Sequence, residues 1–218
     1  MVAGGTDRSV AGCEDVAVGS PQTLSEGDRR TVAAWAADCA ERVLWVFEAE
    51  VPEDCRPRDA ITRTRAFARG ELDVATEIRR RFVGGAAARD ARTPAAAAAA
   101  RAAGQVAAVA HMGAHALGAA AYAAKAAGLA APDQHVAVAE EVRWQLNHMS
   151  GPVRAALRRL PPVGEDSSGP LGPGLLASGL QGTIIRDLQA GLADPVAAGE
   201  RRAGSSGRPS GCSRTAGA

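Results

Sequence analysis

Two histidines, His111 and His115, stand four residues apart, a spacing that on a helix can aim two imidazoles at one metal ion. The local sequence, His111-Met112-Gly113-Ala114-His115, lacks the glutamate that serves a zinc peptidase as general base and has no third ligand close by. Buried or capping histidines are the simpler reading, with a metal-binding or hydrolytic helical enzyme centred on the pair as the alternative. Asp38, Cys39 and Arg42 fall within one helical turn, where Asp38 and Arg42 are spaced to pair. A nucleophilic thiolate needs a base and an electropositive, partly exposed setting. Cys39 lies instead on an apolar stripe and reads as a small hydrophobe. No phosphate-cradling loop, dinucleotide fingerprint or nucleophile elbow occurs. These residues assign no catalytic group, metal or cofactor, and the chain is expected to bind a partner rather than to be an enzyme.

Charge separates the remaining candidates. Lys+Arg number 25 against Asp+Glu 24, a formal charge of +1, so no global excess draws the chain to nucleic acid or anionic lipid. Locally the signs segregate: residues 14–54 are mostly acidic, and 56–92 carry many arginines. Two antiparallel helical segments of opposite sign would neutralise each other, the alternative being a polar docking face. Arg63, Arg65, Arg69, Arg79, Arg80 and Arg81 are the candidates for phosphate contact. Acids interleave with them and no aromatic stacking series accompanies them, so no nucleic-acid partner is expected, although a nucleic-acid-binding helical domain stays a further alternative. Cys13, Cys39, Cys55 and Cys212 show no zinc-ligand spacing and read as reduced thiols. Met1–Gly12 lacks the pattern of a secretory signal, and a cytoplasmic location is expected.

The elements that must carry these residues are helices. Thr23 and Ser25 are each followed three residues later by an acid, and Val32, Ala36, Cys39, Val43, Val46 and Phe47 then recur at helical spacing up to Pro52. A second helix is expected from Pro57 to Gly70, and a third after Asp73 with Val74, Ile78 and Phe82, weakened at Gly84-Gly85. Thr93-Pro94 starts a strongly helical run. Unbroken to Gly128 it would reach about 50 Å, too long for so small a domain, so a break near Gly113 is expected, with helices over 94–111 and 115–127. Asp133 caps a last long helix to Met149, and a short one follows from Val153 to Leu160. Ala102–Ala124 carries no formal charge, yet it is mostly alanine and contains Gln105, His111 and His115, which argues against a membrane span. No β-branched alternating run appears. The reading is all-α: an alanine-rich bundle of about six helices over 23–160, between a flexible leader at 1–22 and a Gly/Ser/Pro-rich disordered tail at 161–218, in which Leu180–Leu188 is one apolar island. With aromatic residues at 3%, Trp35, Trp45, Phe47, Phe67, Phe82, Tyr122 and Trp144 are expected mainly as core plugs.

Several runs together resemble a known family. These are Trp35-Ala36-Ala37-Asp38-Cys39-Ala40-Glu41-Arg42, the Arg56-Pro57-Arg58 turn leading to Ala60-Ile61, Arg65-Ala66-Phe67-Ala68-Arg69-Gly70-Glu71, Ala110-His111-Met112 with His115 to Ala123, and Glu141 with Trp144-Gln145. They are similar to the immunity-protein-five-like group of bacterial polymorphic toxin systems, over roughly Ser25 to Leu160. The resemblance implies a protein that binds and neutralises a cognate protein toxin by occlusion. It makes Asp38, Arg42, Arg65, Arg69, Glu71, His111 and His115 the candidate partner-binding residues, with an internal polar network as the rival role for each. The toxin, the contact face and the oligomeric state are not legible at this level.

Overall fold

The computed structural model describes residues 20–193, and all of its regular structure there is helical. The long helices are α1 (Glu26–Glu48), α2 (Arg56–Ala68), α5 (Pro94–Ala108), α6 (His115–Ala130), α7 (Gln134–Asn147) and α9 (Gly179–Ala193). Shorter ones are α3 (Val74–Arg80), α4 (Val83–Ala86) and α8 (Gly151–Leu157), so the expected count of about six is too low. Side chains start four of these helices as their sequence promises: Ser25, Asp73, Thr93 and Asp133 each accept a hydrogen bond from a backbone N–H of the first turn. Ser150 does the same for α8, which starts at Gly151 rather than at the expected Val153 and ends at Leu157. The helix run interrupted near Gly113 breaks over Val109–Ala114, as expected.

Helix α6 is the axis of the bundle. Ala116 to Ala124, with Ala126 and Gly128, are buried, and α1, α5, α7 and α9 pack around it. A helix that is apolar all round belongs in a protein core or a membrane. Here it is core, and no described helix is long and apolar enough to cross a membrane. Alanine faces let neighbouring backbones approach closely, most tightly where α4 crosses α5. There a Cβ added to Gly104 would lie 2.6 Å from the Cα of Gly85. The weak spot expected at Gly84-Gly85 therefore becomes a contact point, and the chain bends earlier, at Arg81–Phe82.

Two expected boundaries shift. Residues 161–193 are not a disordered tail: Leu171, Ile184, Ile185, Leu188 and Leu192 are buried, and α9 covers α6. The apolar spacing of α9 was concealed by the Gly/Ser/Pro-rich loop before it. That loop is pinned by Gln22, which by sequence ends the expected leader but is itself fully buried in a short turn over Pro21–Thr23. Its amide Nε2 donates to Asp166 (2.7 Å) and to the Ser168 carbonyl (2.6 Å), and its Oε1 accepts from the Leu171 N–H (2.9 Å). Gly169, at φ +77°, lies so close to the Gln22 amide that a side chain would collide with it. The rest of the expected leader, 1–19, and of the expected tail, 194–218, lies outside the described residues.

Candidate functional site

The polar residues singled out in the sequence fall into three places. On the first, between α1 and α2, Arg65 Nη2 reaches Asp38 Oδ1 at 2.7 Å and Glu41 Oε2 at 2.6 Å. The bond from Arg65 holds the Glu41 carboxyl below its usual range. Farther along the same pair of helices Arg58 binds Glu48 with two bonds of 2.6 Å, and Arg69 pairs with Glu71 at 2.6 and 2.7 Å on an exposed turn. Arg65 and Arg58 of the basic segment thus pair with acids of α1 across the two helices, as the opposite charges of the two segments allowed.

The second place is the seam between α1 and α7. The expected Asp38–Arg42 pair does not form: Asp38 turns to Arg65, and Arg42 turns the other way to Glu141. Arg42 Nε donates to both Glu141 oxygens, at 3.0 and 3.1 Å, and Glu141 is only 5% exposed. A local i, i+4 pair loses here because a buried carboxylate left without a cation would cost several kcal/mol. Gln145 continues the seam inward. Its Nε2 donates to Glu141 (3.3 Å) and to the Ala120 carbonyl of α6 (3.1 Å), while its backbone carbonyl accepts from Trp35 Nε1 (3.1 Å). Outward, the Arg42 guanidinium lies 3.9 Å from the centre of the Trp144 ring, and His148 stacks on Trp144 at 4.2 Å. Trp35, Arg42, Glu141, Trp144 and Gln145 thus meet from two runs about a hundred residues apart. Cys39, fully buried beside this seam, has its thiol pushed up mainly by burial and further by Glu141 and Asp38, the opposite of an activated nucleophile.

The third place holds the histidines, which the break between α5 and α6 separates. His111 is exposed in the connection, whereas His115 starts α6 and bonds Gln105 through Nδ1 at 2.8 Å. Burial, followed by His111 and Arg81, lowers the His115 pKa to about 4, so it is neutral at physiological pH. Among the described residues no three metal-ligating side chains gather.

Sequence reasoning missed Trp45. It is 61% exposed on α1, on the face that also carries Asp38, Glu41, Arg42 and Glu48. The signal was available in its phase: Val32, Ala36, Cys39, Val43 and Phe47 mark the buried stripe, and Trp45 falls outside it. Phe82, also expected inside, is 70% exposed, whereas Trp35, Phe47, Phe67 and Tyr122 are core residues as expected. A cavity of about 680 Å³ also opens between α7 and α9, lined in part by Val138, Val142, Leu146, Leu180 and Ile184.

The fold and its charged seams define an alanine-packed helical bundle whose long-range polar contacts run chiefly through arginine. A family model described as Imm-5 like putative immunity protein matches residues 22–152, more than half of the chain, and the chain belongs to that family. The seam from Trp35 and Arg42 to Glu141 and Gln145 lies wholly within the matched region. No curated protein and no solved structure matches the chain.

Proposed function

We propose that this protein binds a cognate bacterial protein toxin in the cytoplasm and neutralises it by occlusion, without catalysis of its own, through the α1 face centred on Trp45. Membership in an immunity-protein family supports the class of function. The observation that carries the choice of face is Trp45, a large aromatic side chain 61% exposed and flanked by the Arg65, Arg58 and Arg42 ion pairs. Tryptophan and arginine dominate the energetics of protein interfaces, the aromatic ring supplying apolar area and the surrounding polar rim supplying specificity. In this reading Asp38, Arg65, Arg69 and Glu71 form the rim toward α2, and Arg42 supports the face from the α7 side.

Arg42 favours a second role, because its partner Glu141 is buried. The Arg42–Glu141–Gln145 chain fixes the register of α1, α6 and α7, and its contribution to binding is indirect. His115 is likewise a positioned internal residue rather than a contact.

Co-expression with a candidate toxin gene from the same locus tests the proposal. The wild-type chain is expected to restore growth and to co-purify with the toxin, and Trp45→Ala is expected to do neither while folding normally. Failure of the wild-type chain to protect against any such toxin would refute the function. Full protection by Trp45→Ala would refute the face.

A further inference from the structure

A cleft of about 330 Å³ opens where α3 and α4 lean on α5 and α6, and Arg81, Arg89, Arg101, Gln105, His115 and Tyr122 are among its lining residues. Arg81 follows α3, Arg89 ends the turn after α4, Arg101 and Gln105 come from α5, and His115 and Tyr122 come from α6. Gly85 and Gly104 also line it, so the close crossing of α4 and α5 forms part of its wall. No carboxylate is among the described residues that line the cleft. Arg42, Arg63 and Arg65 each meet an acid within ion-pair distance; Arg81, Arg89 and Arg101, like Arg80 and Arg186 elsewhere, form no ion pair among the described residues, and what sets these three apart is that they line one cleft.

Arg81 is held in place, donating from Nη1 to the Ile78 carbonyl at 2.7 Å with its guanidinium 4.2 Å from the Phe82 ring centre. Its remaining donors, and those of Arg89 and Arg101, are left for a ligand. Guanidiniums that line one cleft without counter-charge repel one another, and an anion held among them relieves that cost. We infer that this cleft binds a small phosphorylated molecule, its phosphoryl group taken by Arg81, Arg89 and Arg101. A phosphoryl dianion offers three acceptor oxygens in a tetrahedron and suits several guanidinium forks at once, whereas a lone carboxylate is filled by one. The volume lies at the small end of ligand sites, which run to about 300–1,000 Å³, and so points to a small solute rather than a polymer. Gln105 also lines the cleft with its Oε1 already bonded to His115, which leaves its Nε2 as a neutral donor.

Isothermal titration of the full chain with inorganic phosphate and with pyrophosphate, at constant ionic strength in chloride, tests this independently of any toxin. One-to-one binding is expected. Arg89→Ala and Arg101→Ala should each weaken it about tenfold, the size of one charge-assisted hydrogen bond, and Arg101→Glu should abolish it. Arg143→Ala, an exposed arginine on α7, should leave it unchanged. Absence of binding by both anions at millimolar concentration overturns the proposal, as does an equal loss on Arg143→Ala, which would mark general charge attraction. A single-stranded oligonucleotide that binds more tightly than pyrophosphate through the same arginines would also overturn it, in favour of a backbone-reading surface.

Discussion

The seam between α1 and α7 and the cleft beside α4 are both built around arginine, and they use it oppositely. At the seam Arg42 sits against a buried carboxylate, a buried amide and an indole ring, and every charge has its counterpart inside the chain. At the cleft Arg81, Arg89 and Arg101 line one opening with no acid among its described lining residues. The number of arginines therefore says little about what each one does. The burial of the facing carboxylate decides it, because a carboxylate shielded from water needs its cation, and an exposed guanidinium does not need an anion.

Both regions rest on α6, which supplies the Ala120 carbonyl to one and His115 and Tyr122 to the other. The largest effect should come from taking away what covers that helix. Truncation after Leu160 removes Ile184, Ile185, Leu188 and Leu192, all buried, at about 2 kcal/mol each. That sum is comparable to the whole stability of an ordinary domain, about 5–15 kcal/mol. The truncated chain is expected to lose cooperative thermal unfolding by calorimetry, and a sharp transition near the wild-type temperature would refute the covering role of α9.

The next effect separates the two regions directly. Arg42→Ala strands Glu141 in the seam and should cost about 3 kcal/mol in urea unfolding, whereas Arg101→Ala, which strands nothing, should change stability by less than about 0.5 kcal/mol. Equal losses would erase the distinction. Arg69→Ala breaks an exposed, solvent-screened pair and should leave the urea midpoint at the wild-type value.

Acid should weaken the cleft side through His115. Its pKa is lowered from 6.5 to about 4 in the folded chain, so the unfolded chain takes up the proton first. The stability it contributes is complete above about pH 6.5 and is lost as pH falls toward 4. The loss reaches at most about 3 kcal/mol. A His115→Gln variant, unable to titrate, should show a shallower decline of unfolding free energy between pH 6.5 and 4 than wild type. Identical slopes would contradict a partly buried His115 held neutral in the folded chain.

What the sequence disclosed was local, and what it concealed was long-range. Ser25, Asp73, Thr93 and Asp133 announce helix starts because capping is settled within three residues, and the break near Gly113 follows from simple length. The partner of Arg42 was not legible, since Asp38 stands at an equally good spacing one turn away and only the tertiary fold buries Glu141 opposite. Helix α9 was hidden by the composition of its flanks, although its isoleucines and leucines keep helical spacing. The family resemblance named the right residues at both ends of the seam, Trp35 and Arg42 with Glu141, Trp144 and Gln145, without showing that they meet. Trp45, which carries the proposed contact, was readable only by asking which large residue was out of phase with the buried stripe.

The most direct test of the account is the affinity of the purified chain for the proposed cognate toxin, measured for wild type, Trp45→Ala and Arg101→Ala in parallel. A tight wild-type complex is expected, weakened at least about thirtyfold by Trp45→Ala, as for a central aromatic contact worth 2 kcal/mol or more, and unchanged by Arg101→Ala. No complex with the wild-type chain, or a complex indifferent to Trp45, would contradict it.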